Sequence, residues 1–298
     1  MSDPSKREGL EAWSWLAIGV AVLVGALFVG LGMKPGAPLG PWLYLQGTIW
    51  LFLAASLVLV FGILWGLLHR PVLARRRFLP LALMGLSVSL TSLPFPYPSS
   101  HQAAWSSVRF QLPFDGGENG EERWRVRWGG ERRVDNALVF SPTRRFGFDF
   151  IGEGGSAFGR AVLAPCAGRV VSAEGDLADQ GPRPRTPLGN NLVLEVETGR
   201  YLVLANLRQG SLLVAPGAQV QPGDPLASVG DSAGSSPADA PQLMVHLQDD
   251  PVPGQGEGVP MRFHRYEVAG RTIEAGVPTG GMEGAVPTGE IVRSLGVR

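Results

Sequence analysis

Few side chains in this sequence could hold a metal ion or act as a general base. The 298 residues include one cysteine, Cys166, and four histidines, His69, His101, His246 and His264. A single cysteine allows neither an internal disulfide nor a closed cysteine-based zinc site, because such sites use two to four thiolates or a mixture of cysteine and histidine. Metal chemistry would therefore depend on histidine and carboxylate ligands, and Cys166 is predicted to be a small apolar residue in a turn.

Histidines such as His246 and carboxylates such as Asp149 are the side-chain types that remain as possible metal ligands in the C-terminal half. A catalytic zinc ion needs three protein ligands and an open fourth position, at which bound water reaches a pKa of about 7. Because ligands come in sets, His246 can also be interpreted as a buried histidine with satisfied hydrogen bonds. Asp149 can likewise be interpreted as the partner of Arg144 or Arg145, or as an acceptor for turn amides.

The segments that must position these residues begin with an apolar N-terminal third. Only 17% of the residues are charged, against roughly 25% in an ordinary soluble domain. Two runs, residues 13–33 and residues 47–68, contain no charged residue, and Lys34 is the only charged residue between them. Each run is long enough to cross a membrane core of about 30 Å as a helix. Residues 78–93 form a shorter apolar run with Pro80 in its first turn, and we expect this run to span as well.

The charges around these runs predict the topology of the chain. Arginines 70, 75, 76 and 77, with no acid among them, place the loop between the second and third runs in the cytoplasm. Residues 1–12 are then cytoplasmic too. The protein is predicted to lie in the cell membrane, with residues 94–103 as a linker and residues 104–298 as an extracytoplasmic domain. If the third run instead lies in the cytoplasmic interface, the C-terminal half is cytosolic.

The C-terminal half has the pattern of an all-β domain. Short runs of β-type residues recur at intervals of about 8–12 residues between Gly, Pro, Asn and Asp, which is typical of a sandwich or barrel. Segments 137–140 and 210–214 are among the predicted strands, and residues 175–188 are predicted to be an unstructured insertion. The formal net charge is zero, with 26 basic and 26 acidic residues, which argues against a nucleic-acid partner. The predicted partner of the apolar runs is the lipid bilayer.

Turn residues in this domain carry a family resemblance. The segments VLAPCAGRVV, GNNLVLEV and VAPGAQVQPGDPLASVGDSAGSS follow the pattern of the lysostaphin/LytM-type zinc metallopeptidases, which cut peptidoglycan cross-bridges. The match covers residues 143–251, a little over a third of the chain. The resemblance implies a duplicated hybrid β-sandwich or barrel, with Gly and Pro at turn positions that need a positive or fixed φ.

The resemblance also implies a degenerate active site. Active members of this family bind one zinc ion with the histidine and aspartate of an HxxxD segment and with the last histidine of HxH. In this sequence Asp149 is kept, but Arg145 takes the histidine position, and Asn206 takes the position of a further catalytic histidine. Arginine cannot give up its proton to bind a metal, and an amide oxygen is not a general base.

The HxH motif can be aligned with this sequence in two registers. Gln242, Met244 and His246 alternate on one face of the predicted strand. In one register His246 is the final ligand and Met244 replaces its catalytic neighbour. In the other, Gln242 and Met244 replace both histidines, and His246 lies two residues further along.

The flanking segments resemble a membrane-bound branch of the same family. Asn136 fits that branch, but Ala137 and Leu138 stand where its histidines would be, and residues 258–266 also resemble it. We therefore extend the predicted domain to the C-terminus.

These observations lead to one hypothesis and two alternatives. We predict a non-catalytic protein without a cofactor, whose groove binds peptidoglycan or a cell-wall hydrolase. The predicted groove residues are Arg145, Asp149, Asn206, Met244 and His246. One alternative is an active zinc endopeptidase that uses Asp149, His246 and His264. The other is an assembly adaptor with a hybrid-barrel fold; it cannot be a lysine-modified carrier, because no lysine follows Lys34.

Overall fold

The computed structural model describes residues 11–33, 42–69, 75–92, 106–117, 121–130, 134–179, 188–233 and 241–296. The chain divides into two compact units, Met1–Ser100 and His101–Arg298. The predicted linker 94–103 and nearly all of the predicted cytoplasmic segment 1–12 lie outside the described residues.

Three helices make up the described part of the first unit. Helix α1 spans Ala12–Gly32, a π-helical turn at Leu43–Gly47 leads into α2 at Thr48–Leu68, and α3 spans Arg75–Ser92. Both α1 and α2 are long enough and apolar enough to cross a membrane, with mean hydropathies of 2.3 and 2.6. The apolar part of α3 is shorter, so the predicted third span stays a prediction.

The three helices pack through small and apolar side chains. Trp13 of α1 lies in a buried hydrophobic cluster with Ala55 of α2 and Met84 of α3. Gly62 is required at this contact, because a Cβ atom there would lie 2.7 Å from the Trp13 ring. Large apolar side chains face outward instead, and Leu57 is 71% exposed. An apolar exterior around small interior residues is typical of helices that face lipid.

A partly buried ion pair joins the ends of these helices. Arg77, which is 2% exposed, donates to Glu11 at 2.8 Å and also donates to the backbone oxygen of His69. Glu11 in turn accepts a hydrogen bond from the indole of Trp13 at 2.7 Å. The start of α1, the end of α2 and the start of α3 are therefore fixed to one another, at the end that the arginine-rich loop predicts to be cytoplasmic.

The second unit confirms the predicted all-β domain. Its fifteen described strands are β1 (Trp124–Trp128), β2 (Phe148–Gly152), β3 (Ala161–Leu163), β4 (Gly168–Glu174), β5 (Asn190–Glu197), β6 (Arg200–Leu207), β7 (Gln219–Val220), β8 (Pro225–Ser228), β9 (Gln242–Gln248), β10 (Gly258–Val259), β11 (Phe263–Val268), β12 (Arg271–Gly276), β13 (Met282–Glu283), β14 (Val286–Pro287) and β15 (Ile291–Ser294).

Eleven of these strands form one antiparallel sheet. Its order is β12-β11-β15-β1-β2-β9-β6-β5-β4-β7, with β10 paired to β9, while β3 pairs with β8 and β13 with β14. The duplicated hybrid architecture stays a prediction. For the candidate site, the important neighbours are β1, β2 and β9, because they lie side by side in the middle of the sheet.

Alternation along the strands determines which residues face the core. Trp124, Phe148 and Phe150 are buried in the main hydrophobic cluster, and the Phe148 and Phe263 rings meet edge to face with centroids 5.0 Å apart. Since successive side chains of a strand point to opposite faces, Asp149 lies on the outer face of the sheet. The aromatic residues thus hold β2 against the core and present Asp149 on the other side.

Three local predictions need correction. Residues 137–140 form a short 3₁₀ turn rather than a strand, because the Asn136 side chain accepts a hydrogen bond from the amide of Leu138 and caps the turn. Residues 210–214 form no strand; they follow Gly210, whose φ of 67° bends the chain away from extended geometry. Within the segment 175–188, the described residues 175–179 are held in place, since Leu177 exchanges hydrogen bonds with the Asn190 side chain.

Candidate functional site

The register of β2 and β9 places Met244 directly opposite Asp149. Directly opposed residues of antiparallel strands have Cβ atoms about 4.5–5.5 Å apart and share one face of the sheet. Gln242 and His246 flank Met244 on that same face, one step further away. A histidine that shares a metal ion with Asp149 is best placed at position 244. The geometry therefore favours the register in which Gln242 and Met244 take both histidine positions.

His246 is buried with one of its ring nitrogens hydrogen-bonded. The side chain is 1% exposed, and its Nε2 lies 3.0 Å from Oε1 of Gln248. The amide nitrogen of Gln248 donates to the backbone oxygens of Asp250 and Val252, so its Oε1 is the acceptor and Nε2–H of His246 is the donor. Among the described residues, Nδ1 of His246 has no hydrogen-bond partner. The ring is thus held as the Nε2–H tautomer.

Burial keeps this imidazole neutral. The pKa of His246 is lowered from 6.5 to about 4, mainly by desolvation and also by the positive charge of Arg144, while the hydrogen bond to Gln248 opposes this shift. At neutral pH the ring therefore carries no charge.

The shifted pKa predicts how stability depends on pH. Between about pH 6.5 and about pH 4 the unfolded state binds more protons at His246 than the folded state does. The contribution of His246 is therefore complete above about pH 6.5 and is lost on acidification, by at most about 1.4 kcal/mol per pH unit. We expect His246→Gln to lessen this loss, measured as the free energy of unfolding between pH 4 and 8. Equal slopes for the two proteins would contradict the assignment.

Guanidinium groups cover the outer face around Asp149. Nη1 of Arg127 donates to Oε1 of Gln242 at 2.8 Å, and Nη1 of Arg144 lies 3.9 Å from the Met244 sulfur. Both arginines are partly exposed, whereas Gln242 and Met244 are each 7% exposed. Fixed positive charges in this place oppose the binding of a divalent cation.

Arg145 has a structural partner of its own. It is fully buried, and its Nη2 donates to Oε2 of Glu257 at 2.7 Å, while its guanidinium carbon lies 5.6 Å from the centre of the Phe146 ring. The residue at the histidine position of the family motif is therefore part of a buried ion pair. Sequence analysis did not identify Glu257, although this acid directly precedes residues 258–260, which resemble the membrane-bound branch.

Asn206 is also used structurally. Its φ is 64°, and its side-chain amide donates to the backbone oxygens of Gly230 and Gln242 and accepts from the amide of Ala233. Asparagine tolerates this left-handed conformation better than most residues. The side chain thereby joins the end of β6 to β9 and to the turn after β8.

Two further sequence candidates lie apart from this site. His264 is on β11, which two strands separate from β2 in the sheet. Cys166 is 3% exposed, and burial, with a contribution from Glu197, raises the pKa of its thiol to about 12. The thiol therefore stays protonated, as expected of a small apolar residue.

The donor set does not fit a zinc ion. Within the part of the chain that the structure describes, no group of three or more His, Cys, Asp or Glu side chains could hold a metal. Asp149 and His246 share a face, but His264 does not join them, and Arg127 and Arg144 lie over the same face. The five predicted groove residues are all at most 7% exposed. A ligand that reaches this face from solvent would first meet the two arginines.

No family model and no curated protein matches the sequence. Among solved structures, the chain is similar to the SpoIIQ–SpoIIIAH pore-forming complex at 18% identity, covering 49% of this chain and 87% of that one, with a TM-score of 0.36. It is similar to a mutant catalytic domain of the prophage-encoded M23 protein EnpA from Enterococcus faecalis at 15% identity, covering 50% and 94%, with a TM-score of 0.33.

A third similar structure is pseudoalterin, an M23 metalloprotease from the deep sea, at 15% identity, covering 64% of this chain and all of that one, with a TM-score of 0.36. The solved structures similar to this chain thus include LytM/M23-type domains, as the sequence motifs predict. At these TM-scores the similarity carries no argument about activity or partners.

Proposed function

We propose that this protein is a membrane-anchored LytM-type protein that binds peptidoglycan at the cell wall without cleaving it. The observation that carries the proposal is the buried pair of Arg145 and Glu257. A guanidinium fixed in this pair stands where the family motif has a zinc-binding histidine, and Met244 stands opposite the remaining Asp149. Neither Arg145 nor Met244 can complete a zinc site at neutral pH.

The proposed contact surface is formed by Arg127 and Arg144. Both side chains are partly exposed, and both contact β9 through their guanidinium groups, Arg127 at Gln242 and Arg144 at Met244. Guanidinium groups bind carboxylates and carbonyl oxygens through several donors at once, and the peptides of peptidoglycan offer both. The proposal thus gives the outer face a binding role in place of hydrolysis.

Sedimentation with purified peptidoglycan tests this proposal. We expect the full chain in detergent micelles to cosediment, and we expect Arg127→Gln combined with Arg144→Gln to reduce the bound fraction severalfold. Arg200→Gln, a partly exposed arginine on β6, is the matched control and should bind as the original chain does. The soluble fraction should contain no new muropeptides.

Other outcomes would favour the alternatives. New cleavage products that require His246 would replace the proposal with an active endopeptidase that has an atypical ligand set. A lack of affinity for peptidoglycan, with capture of a purified cell-wall hydrolase, would favour a regulator of that enzyme. A lack of affinity for both, with capture of another membrane protein, would favour the assembly adaptor.

The proposal requires that α3 also spans the membrane and that the β domain is extracytoplasmic. We expect a reporter fused after Ser100 to be active only when the reporter is one that works outside the cytoplasm. The arginines at the start of α3 and the short apolar length of that helix make this the most informative fusion point. Activity of a cytoplasmic reporter at Ser100 would exclude a role at the cell wall.

A further inference from the structure

A second concave site lies on the outer face of the sheet, toward its β12 edge. It is a cavity of about 470 Å³ between β1, β15 and the turn that joins β11 to β12. This volume falls in the range of about 300–1,000 Å³ that is usual for small-molecule sites. The side chains around it that point outward include three arginines, Arg123, Arg125 and Arg293.

The strand register places the three arginines on one face of two neighbouring strands. Trp124 pairs with Val292, and Arg125 with Ile291, so the next step in this register brings Arg123 opposite Arg293. Like charges directly opposite each other destabilise a sheet. Glu267 and Glu290 also line the cavity, but Glu267 is bound to Arg293, and Glu290 accepts a hydrogen bond from the amide of Thr279.

Two of these arginines are held by carboxylates and the third is not. Arg125 binds Glu153 through two hydrogen bonds of 2.8 and 3.0 Å, and Arg293 binds Glu267. Among the described residues, no carboxylate pairs with the exposed side chain of Arg123. The paired carboxylates hold Arg125 and Arg293 in place, and Arg123 retains its donors.

Another wall of the cavity is a tight turn. Val268 pairs with Arg271, and the two residues between them, Ala269 and Gly270, have φ values of 50° and 79°. This is the geometry of a tight two-residue hairpin turn. Ala269 and Ile291 give the cavity an apolar side next to its cationic one.

We propose that this cavity binds a small ligand through an oxyanion group, either a carboxylate or a phosphate. Arg123 binds this group together with Arg125 and Arg293. The apolar side accommodates a short aliphatic group next to the anion. A terminal carboxylate of a short peptide fits this description, and inorganic phosphate offers the same charge without the apolar part. The cavity lies on the same face of the sheet as Asp149 but nearer the β12 edge, and it does not depend on the proposed function.

Calorimetric titration of the full chain in detergent micelles tests this proposal with three probes. These are N-acetyl-dialanine, its C-terminal amide and inorganic phosphate. We expect the carboxylate to bind and the amide, which has the same shape but no charge, to bind at least about tenfold more weakly. Binding of phosphate alone would identify phosphate as the source of the oxyanion.

Two matched variants locate the binding. Arg123→Gln removes an exposed side chain and should weaken the binding of the oxyanion at least about fivefold without changing the melting temperature. Arg169→Gln makes the same charge change on β4, far from the cavity in the strand order, and should have no effect. Equal affinity for acid and amide, an unchanged affinity in Arg123→Gln, or no binding of either anion at about 10 mM would each overturn the proposal.

Discussion

Arg145→Met is expected to lower the free energy of unfolding of the β domain by about 3–5 kcal/mol, because it leaves the Glu257 carboxylate buried without its partner. Arg145 is completely buried and Glu257 is 5% exposed, so water cannot take over the role of the guanidinium. The measurement is the loss of β-sheet circular dichroism with increasing denaturant, for the full chain in detergent.

Two control variants separate the ion pair from its surroundings. Arg145→Met combined with Glu257→Leu should recover most of the lost stability, because an apolar replacement of both partners is often neutral. Arg169→Met breaks the exposed pair with Glu195 and should cost about 0–1 kcal/mol. A cost for Arg145→Met as small as that of Arg169→Met would refute a structural role for the residue at the histidine position.

Asn206→Ala is expected to lower the free energy of unfolding by about 3 kcal/mol or more. The change removes two hydrogen bonds to buried backbone oxygens and one from a backbone amide, and each buried polar group left unsatisfied costs about 1–3 kcal/mol. It also places alanine, which tolerates the left-handed conformation less well than asparagine does, at a φ of 64°. Thermal unfolding of the purified variant measures the loss.

Asn206→Gly and Asn206→His show which role the residue has. Glycine accepts the positive φ, so this variant should be about 1 kcal/mol more stable than Asn206→Ala while still lacking the hydrogen bonds. Histidine restores the residue of the family motif, and we expect it to destabilise the domain and to produce no cleavage of peptidoglycan. New muropeptides from Asn206→His would show that the site lacks only a base.

Much of the architecture could be predicted from the sequence because it depends on local patterns. Uncharged runs of membrane length gave α1 and α2, and alternation in FDFI correctly separates Phe148 and Phe150 from Asp149. Residues 137–140 were predicted wrongly because four apolar residues satisfy a strand pattern equally well. The capping hydrogen bond of Asn136 decides in favour of a turn, and the pattern of apolar residues does not contain it.

The site could be predicted only in part because its contacts join distant segments. Asp149, His246, Arg145 and Asn206 were identified as candidates, and Met244 was recognised in both registers. The pairing of Asp149 with Met244 depends on how β2 meets β9, about a hundred residues later in the chain, and the sequence leaves that register open. The partner of Arg145 is likewise set by the loop before β10 rather than by the motif itself.

The most direct test of the account is the zinc content of the purified full chain after it has been loaded with excess zinc and desalted. We expect far less than one zinc ion per chain. Arg145 is held in a buried pair with Glu257, Met244 lies opposite Asp149, and two arginines contact the same strand β9. Approximately one zinc ion per chain, lost on His246→Gln and accompanied by cleavage of peptidoglycan, would contradict a binding role without hydrolysis.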